Sequence, residues 1–573
     1  VLTRFQTDQY GVEVLSWIDP VDRDVAGLRI DARGDCPPIV VGVPRDLKVH
    51  YQQEMQQSFS GQVNGDTWRA TVRCLSVQTP LTVKTTASLE PAEQGVKLRL
   101  KPGRNWVLVA VNSDVPKSGE RSLQQTIESW HACWNGSGWL DLPDETAQKV
   151  WVRSLAYIFC SHNDDGIGDS PPTGLSGGGW PFPFPFDSGC RHPLLLWTGR
   201  TDAARRWIEF WSSRREGLEK YTRRIWNRDG TMLPHVFPYG PAEDYHVPEP
   251  PNYCYYPIYN AGHLVRMAHQ TAVMVNDPQW TKRYAAPLID GAARFYLDIA
   301  KKGDDGLWHF TVVPSLGLDE DGGRDQPDYI CTLFSAEYAF RRAVDYGLDR
   351  DGRMATILRE GLAYKALLSD RGLYYANLGT GVQDLAHQKH PDQLSALVNI
   401  PVGPAADDPT RRSHQLRYQI TAGADKPAFA GHTLGELILA SARMQDAGAW
   451  RRDWTNVQRS AYADPDWMQF YESSGSRLAY YVTTHGLFAQ AILETIVSTW
   501  WERLDLAPCV PWPGRVGFGN LRTLLGVTVS GDLTDGRGQA ALEAWKDTTF
   551  RCQDRTITLK KGERVTVDIG KDR

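Results

Sequence analysis

Apolar residues recur at helical spacing through most of this chain, from about residue 142 to about residue 505. The first stretch follows Leu142-Pro143-Asp144-Glu145, a typical helix start, and later stretches cover Pro278–Lys301, Tyr329–Tyr346, His432–Met444 and Thr484–Trp501. About ten to twelve helices in sequential pairs suit an α/α toroid, in which an inner ring of helices is backed by an outer ring. No fixed repeat period is visible, which favours a closed (α/α)6 toroid over an open helical solenoid.

Strand-like sequence lies on both sides of the helical region. Runs such as Val96-Lys97-Leu98-Arg99-Leu100 occupy residues 1 to about 120, and strands return after Trp512-Pro513-Gly514. We therefore predict a multidomain chain: an N-terminal β-sandwich over residues 1–125, a linker over 126–145, the toroid over 146–508 and a small C-terminal β-region over 509–573.

Composition limits the partners of the chain. The net charge of −5 comes without a basic run, which argues against a nucleic acid or an anionic membrane surface. No stretch approaches ~20 uninterrupted apolar residues. The nine cysteines form no Cys-x-x-Cys motif and no Cys/His cluster, so neither a zinc knuckle nor a dense disulfide framework is indicated. We predict no metal and no cofactor. The 21 Trp, 23 Tyr and 17 Phe serve as core fillers or as flat surfaces for stacking on sugars.

Two long loops, residues 161–190 and 233–256, are rich in aromatic and acidic residues. Long loops are uncommon in compact domains unless they are functional, so we predict that these two line a binding site. Asp187 ends a proline-stiffened aromatic run, which would hold a carboxylate against sugar hydroxyls at little entropic cost. Trp180, in the same run, is either a stacking platform or a core anchor, and Glu243 is a candidate for the rim of the pocket.

Five short segments, taken together and in their order along the chain, carry a resemblance to known proteins. They are Trp180–Asp187, Gly240–Glu243 with His263 in the next helix, Gly317–Glu320 followed by Asp328 and Tyr329, Lys389–Leu394, and Glu472-Ser473-Ser474. Read together, they resemble the disaccharide phosphorylase and hydrolase family that includes maltose and kojibiose phosphorylases and, more distantly, the 1,2-α-L-fucosidase family. The resemblance implies an inverting (α/α)6-barrel enzyme that acts on the glycosidic bonds of an oligosaccharide or polysaccharide.

The resemblance also implies roles for single residues. Glu320 matches the family's general acid, and Lys389 and Asp392 match a substrate-binding segment. Leu318 stands where the family has Pro, and segments typical of the fucosidases are missing, so L-fucose is not the predicted substrate. The N-terminal sandwich is short for this group, and we expect it to be reduced or truncated.

An inverting glycosidase needs a protonated carboxyl at the leaving oxygen and a second carboxylate that activates water, roughly 6.5–9.5 Å away. We predict Glu320 as the acid, because the neighbouring acids Asp319, Asp321 and Asp325 would raise its pKa. Glu472 is the predicted base. The competing interpretation is that Glu320 and Glu472 are both solvated acids in loops. We expect Asp187, Glu243 and Glu320 to converge on one pocket. The enzyme is then expected to release a terminal sugar from its substrate.

Three other functions remain open at the level of sequence. Phosphorolysis would need donors for inorganic phosphate, and the candidates are Lys389, His390, Ser473 and Ser474. A toroidal polysaccharide lyase would use Tyr, His and Asn, and the candidates are Asn252, Tyr253, Tyr259, Asn260 and His263. A non-catalytic sugar-binding or scaffold protein would lack paired carboxylates.

Overall fold

The chain forms two compact units, Val1–Gly136 and Ser137–Arg573. The computed structural model describes residues 1–22, 24–43, 46–47, 55–74, 77–162, 184–235, 256–319, 322–379, 390–402, 408–422, 431–460, 462–464, 466, 469–472 and 481–570. The predicted order of an N-terminal β-domain, a helical middle and C-terminal strands is confirmed.

The first unit is built from antiparallel strands. They are β1 (Leu2–Gln6), β2 (Tyr10–Ile18), β3 (Val25–Gly34), β4 (Ile39–Gly42), β5 (Asp46–Leu47), β6 (Met55–Asn64), β7 (Thr67–Cys74), β8 (Val77–Thr85), β9 (Ser88–Ala92), β10 (Gly95–Arg99) and β11 (Gly103–Val111). Eight strands form one sheet in the order β1-β2-β3-β11-β8-β7-β6-β5, and three form a second in the order β4-β10-β9. Alternate side chains of a strand share one face. Trp68, Val83 and Val107 of the large sheet accordingly share a core with Val96 and Leu98 of the small one.

The first unit ends in a helix, α1 (Gly119–Gly136). Trp17 of β2 donates a hydrogen bond from its indole nitrogen to the Ser122 hydroxyl at 2.9 Å, which fastens α1 to the sheet. The stretch 126–145, predicted as a linker, holds the end of α1, the strand Trp139–Asp141 (β12) and the start of the next helix. The boundary between the two units accordingly follows α1, because the apolar face of that helix packs on strands of the first unit.

Helices make up most of the second unit. They are α2 (Glu145–Ser161), α3 (Pro185–Trp197), α4 (Thr201–Ser213), α5 (Arg215–Trp226), α6 (Asn260–Val275), α7 (Pro278–Trp280), α8 (Ala286–Ile299), α9 (Ile330–Asp345), α10 (Arg353–Glu360), α11 (Tyr364–Leu367), α12 (Ser395–Val398), α13 (Asp408–Ala422), α14 (Gly431–Arg443), α15 (Ala447–Arg459) and α16 (Val482–Leu493). The predicted start of α2 is confirmed, since the Asp144 carboxylate accepts the Ala147 N–H at 2.8 Å as an N-cap. None of the helices in the described part of the chain is both long and apolar enough to cross a bilayer.

These helices form two layers. Every residue of α3, α14 and α16 is buried, which is the pattern of helices enclosed on all sides. In contrast, α4 and α15 bury one stripe and expose the rest. Contacts among the enclosed helices run in cyclic order: α3 packs on α6, α6 on α9, α9 on α12, α12 on α14, α14 on α16, and α16 on α3. Helices α4, α8, α10, α15 and α2 pack against members of this ring.

Strands return at the C-terminal end. The strands of the second unit after β12 are β13 (Ala300–Lys302), β14 (Trp308–Phe310), β15 (Val497–Ser498), β16 (Asp505–Leu506), β17 (Arg515–Arg522), β18 (Val527–Thr534), β19 (Arg537–Ala544), β20 (Thr548–Cys552), β21 (Arg555–Leu559) and β22 (Arg564–Ile569). The main sheet has the order β12-β17-β18-β19-β22, so a strand from before the helices pairs with the C-terminal strands. Leu140 of β12 pairs with Phe518 of β17, and both side chains are buried.

Candidate functional site

Asp187 lies in the first turn of α3 and is buried. Pro185 occupies the start of the helix, where a missing N–H costs nothing, and a carboxylate is stabilised by the positive end of the helix dipole. One carboxylate oxygen of Asp187 accepts hydrogen bonds from the Tyr481 hydroxyl at 2.6 Å and the Thr483 hydroxyl at 2.7 Å. Because Tyr481 and Thr483 flank the start of α16, these bonds hold the first turns of α3 and α16 together.

Asp392 opens the 3-10 turn Asp392–Leu394 that leads into α12. Its side chain is 1% exposed, and one carboxylate oxygen accepts the backbone N–H of Asp319 at 3.0 Å. Gly317 approaches closely enough that a Cβ added to it would lie 3.0 Å from the other oxygen. Burial, and then the nearby charge of Asp319, raise the pKa of Asp392 well above its ordinary value. The segment before α9 thus meets the segment before α12 at a buried carboxyl.

Glu436 on α14 is a third buried carboxyl at this place. It is 1% exposed, and its Oε2 atom accepts no hydrogen bond from the described residues. Burial, and then the nearby charges of Asp392 and Asp187, raise the pKa of Glu436 from 4.5 to about 8. Glu436 is therefore the residue that links the first two carboxyls electrostatically. Sequence analysis missed it, because it lies inside an apolar helix and belongs to none of the five segments.

Two histidines lie beside Glu436. The Nε2 atom of His432 is 2.9 Å from Nδ1 of His390 and 3.8 Å from Oε2 of Glu436. One ligand atom from each of these three residues falls within 4.8 Å of the others, so the group could hold a metal ion. The Phe186 ring stands edge-on to both imidazoles, with centroids 5.8 Å from His390 and 6.4 Å from His432.

Arg417 is the positive charge that acts on Asp392. Its guanidinium donates to the Gln393 side chain at 2.9 Å and to the Thr421 hydroxyl at 2.6 Å. Arg417 lowers the pKa of Asp392, but burial and repulsion from Asp319 outweigh it. Around Asp392, the described carboxyl groups therefore outweigh the described cation.

The structure brings together two of the predicted site residues, Asp187 and Asp392, around Glu436. Glu472, the predicted base, is half-buried; its carbonyl accepts the Gly431 N–H at 2.7 Å at the start of α14. Burial, and then the charges of Asp187 and Glu472, raise the pKa of Tyr481 well above its ordinary value.

Four predicted site residues, Trp180, Glu243, Glu320 and Lys389, lie outside the described residues. Two of them adjoin described ones along the chain: Asp319 precedes Glu320, and His390 follows Lys389.

Comparison with known proteins gives a likeness of fold. No protein-family model matches the chain, and no curated protein sequence matches it. A putative kojibiose phosphorylase from the human microbiome is similar over 99% of this chain and 83% of its own, with a TM-score of 0.66 and 12% identity. An inverting mannosidase of glycoside hydrolase family 92 from Bacteroides thetaiotaomicron aligns with 99% of this chain over 83% of its own, with a TM-score of 0.38 and 10% identity. The resemblance predicted from the sequence is confirmed at the level of the fold.

Proposed function

We propose that this chain is an enzyme that cleaves glycosidic bonds, and more specifically an inverting, exo-acting glycoside hydrolase. The observation that carries the proposal links four separate segments of the helical unit. Asp319 donates its backbone N–H to the buried Asp392 carboxylate, and the charges of Asp392 and Asp187 act on the buried Glu436. Three of these segments are ones that resemble the phosphorylase and hydrolase family. Two of these buried carboxyls, Asp392 and Glu436, have raised pKa values, and acid-assisted glycoside cleavage requires carboxyls of this kind.

We also propose that the six enclosed segments are the inner ring of an (α/α)6 toroid, with the C-terminal strands appended to it. The cyclic order of their contacts and the outer position of α4, α8, α10 and α15 support this arrangement. In such a ring the N-terminal ends of the inner helices face the same end, so loops before the helices enclose a pocket. A closed pocket suits the end of a sugar chain, which supports exo action.

In this proposal Glu320 is the general acid and Glu472 the general base. Glu320 follows Asp319, whose backbone is bonded to the buried Asp392, so the acid belongs to a segment anchored in the carboxyl cluster. Glu472 adjoins the start of α14 and acts on Tyr481 together with Asp187. Asp187 binds sugar hydroxyls, while Trp180 and Glu243 complete the pocket wall.

Glu320→Gln tests the acid. Against a panel of oligosaccharides, we expect it to lower turnover by roughly the 10²–10⁴-fold typical of losing a positioned general acid. The loss should be much smaller on aryl glycosides whose leaving group needs no proton. Glu145→Gln, at an exposed position on α2, is the matched control and should keep full activity. Equal losses on both substrate types would remove Glu320 from this role, and NMR of the fresh product showing retained anomeric configuration would refute inversion.

Phosphorolysis is the second candidate, because His390 lies beside the cluster and the similar fold belongs to a putative kojibiose phosphorylase. Against it, the buried carboxyls Asp187, Asp392 and Glu436 would repel a phosphate anion. Adding inorganic phosphate to enzyme and substrate separates the two reactions. We expect the yield of free sugar to be unchanged; formation of a sugar 1-phosphate at its expense would establish phosphorolysis, with Lys389, Ser473 and Ser474 as the residues to replace.

A polysaccharide lyase is less well supported. A lyase must neutralise a uronate, which a cluster of carboxyls does not do. Its described candidates Tyr259, Asn260 and His263 lie at the start of α6, where burial, together with the charge of Arg266, holds the pKa of His263 well below its ordinary value. An unsaturated uronate product from polyuronate substrates would favour the lyase.

A further inference from the structure

We propose that His390, His432 and Glu436 form a binding site for a divalent transition-metal ion, with Zn²⁺ as the first candidate. The two imidazole nitrogens are 2.9 Å apart, and the His432 nitrogen is 3.8 Å from a carboxylate oxygen of Glu436. All three ligand atoms lie within 4.8 Å of one another, so an ion with bonds of about 2.0–2.2 Å can reach each of them after small side-chain adjustments.

The supporting framework is rigid. His432 and Glu436 are four residues apart on α14, which places both side chains on one face of the helix, and α14 is buried along its whole length. His390 comes from the segment that leads into α12, and α12 packs on α14. The Phe186 ring borders both imidazoles. The ligand set is thus held by packed elements, as a tight metal site requires.

An independent observation also points to a cation. The Oε2 atom of Glu436 is buried and has no hydrogen-bond partner in the described part of the chain. Two further buried carboxyls, Asp187 and Asp392, lie close enough to act on Glu436. Arg417, the arginine that acts on Asp392, has its guanidinium bonded to Gln393 and Thr421. Burying three carboxyls together is costly unless they are protonated or a cation lies among them, and a divalent ion between the histidines and Glu436 would supply that charge.

The donor atoms select the kind of ion. Two imidazole nitrogens and one carboxylate oxygen are a common ligand set for Zn²⁺, and three protein ligands leave a position open for water or a substrate hydroxyl. Ca²⁺ and Mg²⁺ prefer oxygen ligands throughout and should bind weakly here. The alternative without a metal is the hydrogen bond between the two imidazoles alone, with the Glu436 carboxyl 3.8 Å from His432.

Metal binding can be measured without turnover, so its failure and the failure of the proposed glycosidase activity are distinguishable. The full chain is stripped with EDTA, dialysed, and titrated with Zn²⁺ by calorimetry, with metal content measured after gel filtration. We expect one Zn²⁺ per chain and a thermal unfolding midpoint that rises when Zn²⁺ is added. In a parallel titration with Co²⁺, visible absorption bands of a low-symmetry site should appear. Ca²⁺ should produce neither effect.

Variants assign the ligands. Losing a group that only supports a metal ligand typically weakens metal binding by roughly 10–100-fold. We expect a larger loss of Zn²⁺ affinity in each of the ligand variants His390→Ala, His432→Gln and Glu436→Gln. His390 is half-buried, so its replacement is the least disturbing to folding, and circular dichroism checks each variant. His131→Ala, at an exposed position on α1, is the matched control and should bind Zn²⁺ like the unchanged chain. Substoichiometric Zn²⁺ in the unchanged chain, or undiminished binding by folded His390→Ala and Glu436→Gln, would overturn the proposal.

Discussion

Asp187 illustrates how one side chain joins structure and proposed function. Its carboxylate sits at the positive end of α3 and accepts two hydroxyl hydrogen bonds on one oxygen, from Tyr481 and Thr483. Charge-assisted bonds of this kind fix the orientation of the carboxylate. A side chain held in this way is oriented before a sugar arrives, so little rotamer entropy remains to be lost on binding.

We predict that Asp187→Ala lowers both substrate affinity and turnover. It should also lower the free energy of unfolding by about 1–3 kcal/mol, because two buried hydroxyls lose their acceptor. Tyr481→Phe is the matched control: it removes one of the two bonds and keeps the carboxylate, so we expect a smaller loss of stability and a smaller rise in KM. Steady-state kinetics and urea unfolding measure both effects. Unchanged kcat and KM in Asp187→Ala would exclude the residue from the site.

At the scale of elements, Arg443 connects three parts of the helical ring. Its guanidinium donates two hydrogen bonds to the Glu494 carboxylate beyond α16, at 2.6 and 2.9 Å, and two to the carbonyls of Leu397 and Val398 in α12, both at 2.7 Å. It also lies 3.4 Å from the centroid of the Trp500 ring. Both charged side chains are almost fully buried, so neither can be removed alone without leaving the other unpaired.

Arg443→Ala should therefore lower the free energy of unfolding by about 3–5 kcal/mol, the usual cost of breaking a buried ion pair. The double variant Arg443→Met/Glu494→Leu should recover much of that loss, since no unpaired charge remains. As a control, Lys149→Ala breaks an exposed pair with Glu145 on α2 and should cost at most about 0.5 kcal/mol. Urea unfolding of all three variants measures these losses. If Arg443→Ala lost less than about 1 kcal/mol, which is the range of an exposed pair, the buried pair would not stabilise the ring.

A second element contact predicts a pH dependence. Asp453 of α15 accepts a hydrogen bond from the Tyr418 hydroxyl of α13, and burial raises its pKa from 3.8 to about 6. The folded chain therefore binds this proton more tightly than the unfolded chain. The resulting contribution to stability is full below about pH 4 and is lost as the pH rises through about 6.

The variant Asp453→Asn lacks the titrating carboxyl, so this dependence of stability on pH is absent from it. The free energy of unfolding of the variant relative to the unchanged chain should rise from about pH 4 to about pH 7, by at most about 3 kcal/mol. Any constant difference from the altered hydrogen bond is the same at each pH, so the slope is the test. Thr455→Ala on the same helix changes no titratable group and should give a constant difference. A flat difference for Asp453→Asn would contradict the raised pKa.

At the scale of the whole molecule, each unit has its own apolar interior, and every described residue of the candidate site belongs to Ser137–Arg573. A fragment of residues 137–573 should therefore unfold cooperatively and keep the proposed glycosidase activity. A fragment of residues 146–573, cut at the predicted domain start, loses β12 and the Asp144 cap. It exposes the edge of β17 and should be less stable and prone to aggregation. Thermal unfolding and activity assays compare the two; equal stability would contradict the boundary at Gly136.

Local patterns in the sequence predicted the class of each region and several element ends. The predicted helices Tyr329–Tyr346 and His432–Met444 match α9 and α14 to within a residue at each end. Their apolar periodicity is a property of neighbouring residues, so it can be read without the fold. The predicted helix Pro278–Lys301 is instead α7, a π-helical turn over Thr281–Ala285, and α8. The backbone hydrogen bonds change there while the apolar pattern continues.

The sequence alone determined that a β-domain precedes a largely helical region, and that Asp187 ends an aromatic, proline-stiffened run before an apolar helix. Only the tertiary structure decided that Asp187, Asp392 and Glu436 share one buried place and that His390 meets His432. Periodicity reports which face of a helix is buried, but not which other helix covers that face. The distance between two helix starts depends on how helices far apart in the sequence pack together. Only that packing removes the water that would otherwise solvate these carboxyls.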